Sequence, residues 1–133
     1  PQQIDVVLRR YRCRRCNAVL MVGPRGIVAG RWYGAGAMAS AVAAYARGAT
    51  TAAVRSATSP ASITGASSTE RWITLVRWLD AAERGRLFAV RGLERMPRRL
   101  VAEQVALVLA ARGGHVHGGD LAHSAFAGAF VAA

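Results

Sequence analysis

Two cysteines, Cys13 and Cys16, are the residues whose type and spacing most directly suggest chemistry. They are the only cysteines in the chain and form a C-R-R-C turn within an arginine-rich stretch. The pair has three interpretations. The first is half of a structural zinc site, because such sites usually take four ligands from two knuckles. The second is a redox pair, since nearby arginines lower a thiol pKa. The third is two inert thiols. We favour the zinc half-site, because no βαβ unit accompanies the motif as a thioredoxin-like pair requires.

The remaining zinc ligands are not evident beside this pair. His115, His117 and His123 are the only histidines and lie at the far end of the chain. A Cys2His2 site would require both ends to meet in space. We expect instead a second knuckle upstream of Pro1 in a longer gene product, because the chain does not begin with methionine. The expected cofactor is therefore zinc, with a ligand set that is incomplete in this chain.

The charge of the chain predicts a polyanionic partner. All 18 basic residues are arginine, and the formal net charge is +11. Such an excess attracts nucleic acid first, with an anionic membrane surface or an acidic protein as alternatives. DNA is favoured because the charge is spread along the chain and not confined to one amphipathic helix. A secretory signal and an apolar run long enough to cross a membrane are both absent, which predicts a cytoplasmic bacterial protein without membrane contact.

Basic and aromatic residues alternate in two places, around Tyr11 and at Arg31-Trp32-Tyr33. Arginine makes fork-shaped contacts with phosphate oxygens, so both stretches could follow a nucleic-acid backbone. The alternative is a solvated arginine face with the aromatic rings packed inside. The arginines of the first stretch are Arg9, Arg10, Arg12, Arg14 and Arg15.

The polar residues do not indicate catalysis. None of the seven acidic residues forms a recognisable acid–base pair or metal triad, and no glycine motif is followed by the Lys and Ser/Thr of a phosphate-binding loop. The serines at positions 56, 59, 62, 67 and 68 have no histidine nearby in sequence. We therefore predict neither an enzyme nor a small-molecule substrate.

The elements before residue 60 are a hairpin and two helices. Gln3–Arg12 and Asn17–Val22 read as strands because of their β-branched content. A helix from about Gly34 is expected to end at Gly48. A second, short helix, Ala52–Ala57, is expected to be capped by Thr50 or Thr51, with Val54 inward and Arg55 outward.

The stretch Ser67–Arg84 predicts the longest helix of the central region. Ser67 and Glu70 form a capping box. Trp72, Leu75, Val76 and Leu79 make one apolar stripe, with Arg71 and Trp78 at its border. The opposite face carries Glu70, Thr74, Arg77, Ala81 and Arg84. This pattern fits a DNA-reading helix, and equally an ordinary surface helix.

Two further helices are predicted after a connector, Gly85–Met96. One starts at Pro97 and runs to Arg112, and the other follows a cap at Asp120. The expected fold class is mainly α, with a short N-terminal β-hairpin (half a zinc ribbon), a trihelical helix-turn-helix and two C-terminal helices. The predicted domains are 1–32, 33–85 and 86–133.

The run from Leu8 to Thr58, with R-R-Y-R-C-x-x-C and a later Trp-x-x-Leu-x-x-Trp helix, resembles bacterial insertion-sequence transposase-related proteins. There a zinc ribbon precedes a helix-turn-helix. The resemblance implies that Cys13 and Cys16 are two of four zinc ligands and that Arg71, Thr74 and Arg77 face DNA. The acidic catalytic core of a full transposase is missing, so strand transfer is not predicted.

The sequence thus predicts a DNA-binding, transposase-related or regulatory protein without its own catalytic core. Binding would use arginine–phosphate contacts and a helix in the major groove. The alternative is a helical interaction module in which Val101–Leu109 and Leu121–Phe130 form a homodimer or bind another subunit. The predicted DNA contacts are Arg9, Arg10, Arg12, Arg14, Arg15, Arg31, Arg55, Arg71, Thr74 and Arg77.

Overall fold

The computed structural model describes residues 4–24, 26–28, 31–59, 72–114 and 120–131. The chain is mainly helical with an N-terminal hairpin, as predicted. Within the described ranges, no helix is both long and apolar enough to cross a membrane. The elements are β1 (Arg9–Arg12), β2 (Val19–Val22), α1 (Ala35–Ala46), α2 (Thr51–Thr58), α3 (Ile73–Glu83), α4 (Arg98–Arg112) and α5 (Leu121–Ala129).

The hairpin is antiparallel and shorter than predicted. Arg9 lies opposite Val22, and Arg12 lies opposite Val19. Continuing this register would bring the residues before Arg9 opposite Gly23 and Pro24. Proline has no N–H to donate, so the ladder ends there. The predicted strand is therefore wrong for residues 4–8, and Gln3 lies outside the described residues.

Three helices form the centre of the core. Met38 and Val42 of α1 are buried, as are Val101, Val105 and Leu109 of α4. α5 adds Ala125 and Ala129, both fully buried. The predicted domain boundaries at 32/33 and 85/86 stay predictions, but the apolar core is shared across the second one.

Local signals set the ends of α1 and α2. Gly48 has a φ of 104°, which favours glycine, and its N–H donates to Tyr45 O at 3.1 Å. This confirms the predicted stop. Thr50 caps α2, because its Oγ1 accepts the Ala53 N–H at 3.2 Å. The predicted orientation of Arg55 is wrong: Arg55 is only 7% exposed and therefore lies, with Val54, on the buried side of this short helix.

α3 begins later than predicted. Trp72 is the N-cap residue with φ −73° and ψ 87°, so the helix starts at Ile73 and not at Ser67. The predicted capping box, Ser67 and Glu70, lies outside the described residues. Trp78 was expected at the border of the apolar stripe, but it is 1% exposed.

An aromatic cluster explains the burial of Trp78. The ring of Tyr33 meets those of Trp78 and Trp72 edge to face, with centroids 5.0 and 5.8 Å apart. The two tryptophan rings are 5.1 Å apart. The Tyr33 hydroxyl also lies 2.8 Å from Ser59 Oγ. The cluster therefore ties α3 to the start of α1 and the end of α2.

The connector between α3 and α4 is packed into the core. Leu87, Phe88, Val90 and Leu93 are all at most 5% exposed. Phe88 has a φ of 61°, and the Arg112 guanidinium donates to its carbonyl oxygen. A long-range arginine contact thus stabilises a backbone conformation that side chains rarely adopt.

Asp120 caps α5, as predicted. Its carboxylate accepts the His123 N–H at 2.9 Å and pairs with the Arg47 guanidinium at 2.9 Å. The His123 N–H, and then Arg47, hold the Asp120 pKa below its ordinary value.

Substitution of Asp120 by asparagine is expected to lower the urea midpoint at neutral pH, because the amide keeps an acceptor but loses the charge. A carboxyl group with a lowered pKa in the folded state stabilises above its ordinary pKa and loses that contribution as the pH falls through the lowered value. The midpoints of the two proteins should therefore converge in acid. Glu103→Gln, at an exposed position of α4, is the control and should show a smaller difference at neutral pH.

Candidate nucleic-acid interface

The hairpin concentrates arginine on an exposed element. Residues 4–22 hold five arginines and one carboxylate, that of Asp5. Every residue of both strands is exposed. Since side chains alternate along a strand, Arg9 and Tyr11 lie on one face and Arg10 and Arg12 on the other. Arg14 and Arg15 occupy the exposed turn, so the hairpin presents positive charge on both faces and at its tip.

The second strand adds an apolar row beside the arginines. Val19, Leu20 and Met21 are 51%, 64% and 62% exposed. Tyr11, opposite Leu20, is also half-exposed. A two-stranded hairpin is at most marginally stable by itself, so an exposed one with apolar side chains is suited to contact with a partner.

The cysteine turn has the backbone geometry of a tight knuckle. Cys13 N–H donates to Ala18 O at 2.8 Å, and Asn17 N–H donates to Cys13 O at 3.0 Å. Asn17 has a φ of 58°, which asparagine tolerates better than most residues. The Cys13 thiolate is favoured by the backbone N–H groups of Cys16 and then Arg15, which lower its pKa.

These two thiols do not complete a zinc site. Both cysteines are free and exposed. Among the described residues, no group of three or more His, Cys, Asp or Glu side chains could hold a metal ion. His115 and His117 lie outside those residues, and His123 is exposed on α5. Within the described residues, Cys13 and Cys16 therefore supply two of the four ligands that structural zinc takes.

Cys13 is expected to react with iodoacetamide faster in the folded chain than in the urea-unfolded chain at about pH 7, because a lowered pKa raises the thiolate fraction. The folded chain should no longer react faster at about pH 10, because Cys13 is then ionised in both the folded and the unfolded chain. The thiolate with the lower pKa, that of the folded chain, is then the weaker nucleophile. The Cys16→Ala variant isolates Cys13 and keeps the backbone donors. Equal rates for the folded and unfolded variant at neutral pH would contradict the described turn.

The structure separates the members of the Arg31-Trp32-Tyr33 cluster. Tyr33 is fixed in the aromatic cluster, whereas Trp32 is 99% exposed. The isolated bridge between Ile27 and Gly34 closes the loop that carries Trp32. Arg31 is half-buried, and its N–H donates to Val28 O at 3.1 Å.

The outer face of α3 carries little net charge. Arg77 is exposed and Thr74 is half-buried, while Arg71 lies outside the described residues. Ala81, expected on this face, is 8% exposed, so the prediction that it faces outward is wrong. The helix also carries Asp80, whose carboxylate lies 3.7 Å from Arg98. α3 therefore contributes one freely exposed arginine to the described surface.

Sequence reasoning missed a second basic region, which we name the connector arginines. Between residues 84 and 99 the only carboxylate is that of Glu94. The density of arginine in this segment is the sequence feature that identifies it as a basic region. Arg99 is partly committed, since its guanidinium lies over the Tyr45 ring at 4.6 Å. The six exposed residues are Arg84, Arg86, Arg91, Arg95, Arg98 and Arg99.

No family model matches the chain, and neither a curated protein nor a solved structure matches it. The resemblance to transposase-related proteins is untested by these comparisons and stays a hypothesis. The function must therefore be argued from the exposed side chains. These comprise the hairpin arginines, the indole of Trp32 and the connector arginines.

Proposed function

We propose that this protein binds DNA through the arginines of its hairpin and is not an enzyme. The observation that carries the proposal is the exposed hairpin, with five arginines and a single carboxylate in residues 4–22. Each phosphate contact releases condensed counterions, so several arginines on one element provide strong but salt-sensitive binding.

The distribution of carboxylates supports this choice of surface. On the helical body, Asp120 pairs with Arg47, and Asp80 lies close to Arg98. Glu83 accepts the backbone N–H of Arg95 at 3.2 Å. These acidic groups partly offset the positive charge of the helices. The hairpin is separated in sequence from all of them, and its positive charge is offset only by Asp5.

A second contact through α3 is part of the proposal. Leu75, Trp78 and Leu79 anchor the buried side of this helix in the core, which leaves Arg77 exposed on the other side. A helix held in this way is suited to entering the major groove, as in a helix-turn-helix protein. The proposed biological role is recognition of element ends or regulation of a locus, as in the transposase-related proteins that the sequence resembles.

Zinc binding is part of the proposal only if further ligands join Cys13 and Cys16. Cys13 and Cys16 supply two thiols on a turn whose N–H groups favour the thiolate. Two more thiol or imidazole groups would complete a tetrahedral site and would fix the hairpin as half of a ribbon.

The test is fluorescence anisotropy of a labelled random-sequence duplex titrated with the protein from about 50 to 200 mM salt. Several phosphate contacts should lower the affinity by about 10³-fold over this range. Circular dichroism establishes that each sample is folded. Absence of binding at low salt by folded protein would reject the proposal.

A protein-interaction module is the second candidate, favoured by Leu100 and Leu107 of α4, which are 47% and 46% exposed. The apolar residues that the sequence suggested for dimerisation, such as Val105 and Leu109, are buried in the chain's own core. A dimer formed through α4 would therefore use its outer face. Sedimentation equilibrium at high salt tests it: a concentration-dependent mass that Leu107→Glu abolishes would support the module.

A further inference from the structure

Trp32 is the feature that DNA-duplex binding does not explain. Its side chain is 99% exposed, whereas the other two tryptophans, Trp72 and Trp78, are 4% and 1% exposed. Burying an indole is strongly favourable, and tryptophan is highly buried on average. A ring left wholly in water, next to Arg31 in sequence, offers an apolar surface to a ligand.

The surrounding structure holds Trp32 outward. Its neighbour Tyr33 is packed against Trp78 with ring centroids 5.0 Å apart, and the Tyr33 hydroxyl contacts Ser59 Oγ. The bridge between Ile27 and Gly34 closes the loop around it. The residues on either side of Trp32 are thus held by backbone or side-chain contacts, whereas its own indole is exposed.

We propose that Trp32 is a stacking surface for an unpaired nucleobase, so that the ligand includes a single-stranded segment. The inference rests on the proposed nucleic-acid binding and specifies its substrate class. Proteins that bind single strands combine arginines along the backbone with aromatic rings on which bases stack. Inside a duplex the base faces are covered by their neighbours, whereas both faces of an unpaired base are open to an exposed ring.

The hairpin repeats the same combination of residues. Tyr11 is 50% exposed and lies on the same face of β1 as Arg9, with Arg10 and Arg12 on the other face. Charge complementarity favours nucleic acid as the ligand of both rings, because residues 4–34 in the described ranges hold six arginines against Asp5. An anionic membrane shares this charge but is usually engaged by an amphipathic helix, and the basic residues here lie on a hairpin.

The experiment compares the full chain with Trp32→Ala and Trp32→Phe on three ligands. These are a twelve-residue oligothymidine, an abasic oligonucleotide of the same length, and a blunt duplex. Trp32→Ala is expected to weaken oligothymidine binding by about ten-fold or more, because stacking on an aromatic ring contributes substantially per base. Binding to the abasic strand and to the duplex should change little. Trp32→Phe should retain most of the affinity.

Intrinsic fluorescence gives a second readout. The buried Trp72 and Trp78 are shielded, so oligothymidine should quench the emission of Trp32, and the quenching should be absent in Trp32→Phe. Val131→Ala, which removes part of an exposed apolar side chain elsewhere, is the matched control and should bind as the wild type does.

Three results would overturn the inference. Unchanged oligothymidine affinity in Trp32→Ala, with binding otherwise intact, rejects stacking but leaves the proposed function standing. Equal losses on the oligothymidine and the abasic strand assign Trp32 to backbone contact. A blue shift of Trp32 on phosphatidylserine vesicles, with no response to oligothymidine, assigns it to a lipid surface. If the wild-type protein bound none of the three nucleic acids, the proposed function itself would be rejected.

Discussion

Replacement of Arg10, Arg12, Arg14 and Arg15 by glutamine is expected to lower duplex affinity by about 10²- to 10³-fold near 0.1 M salt. Each phosphate contact contributes about 0.9 to the slope of log affinity against log salt concentration, so loss of four contacts should reduce the slope by about 3.6. The substitutions should leave the thermal midpoint nearly unchanged, because all four side chains are exposed and none belongs to the core. Anisotropy titrations at several salt concentrations measure both quantities.

The connector arginines provide a control with the same charge change. Arg84, Arg86, Arg91 and Arg95 are exposed, and their replacement by glutamine also removes four positive charges. A general field effect would weaken binding equally in both variants, whereas direct hairpin contact predicts a larger loss of slope in the hairpin variant. A wild-type slope in the hairpin variant, together with a reduced slope in the connector variant, would move the interface to the connector.

The ends of the elements could be predicted where one residue determines the local backbone. Gly48 ends α1 because it adopts a positive φ, and Thr50 and Asp120 begin α2 and α5 because their side chains accept a free helical N–H. Pro24 limits the hairpin in the same way, because it has no N–H to donate. Which residues of the first strand it leaves unpaired depends on the strand register, which the sequence does not determine.

The packing of the central region could not be predicted from periodicity. Trp78 lies at the edge of the stripe on a helical projection, and its burial depends on Tyr33 and Trp72, which contact it from outside the helix. The burial of Arg55 is likewise a tertiary property that the period of a short helix does not determine. The apolar residues of the connector follow no helical period, because the chain there turns at Phe88 to place them in the core.

The candidate site was predicted in part. Exposure of the hairpin arginines followed from their charge, because an unpaired guanidinium is rarely buried. The sequence does not show which of Trp32 and Tyr33 is exposed, since both are aromatic and adjacent. Only the tertiary contacts of Tyr33 distinguish the two residues. The connector arginines were dense enough to be recognised by charge alone, whatever secondary structure carried them.

Substitution of Gly128 by alanine is expected to destabilise the fold by about 3 kcal/mol or more, the upper range for overpacking. A Cβ at this position of α5 would lie 1.7 Å from Leu109 O of α4. Side chains can rotate away from a clash, but a backbone carbonyl in a helix cannot, so the two helices must separate. Separation would expose Leu109 and Ala125, which are fully buried at the centre of the core.

Urea unfolding followed by circular dichroism measures this loss. His123→Ala is the control, because it changes an exposed side chain on the same helix. An unchanged midpoint for Gly128→Ala would contradict the close crossing of α4 and α5. The crossing also bears on the proposed interface, because a Cβ at Gly26 would lie 2.4 Å from the Phe130 ring that follows α5. Since Gly26 lies next to the bridge that closes the Trp32 loop, a displaced α5 should weaken oligothymidine binding even where the variant remains folded.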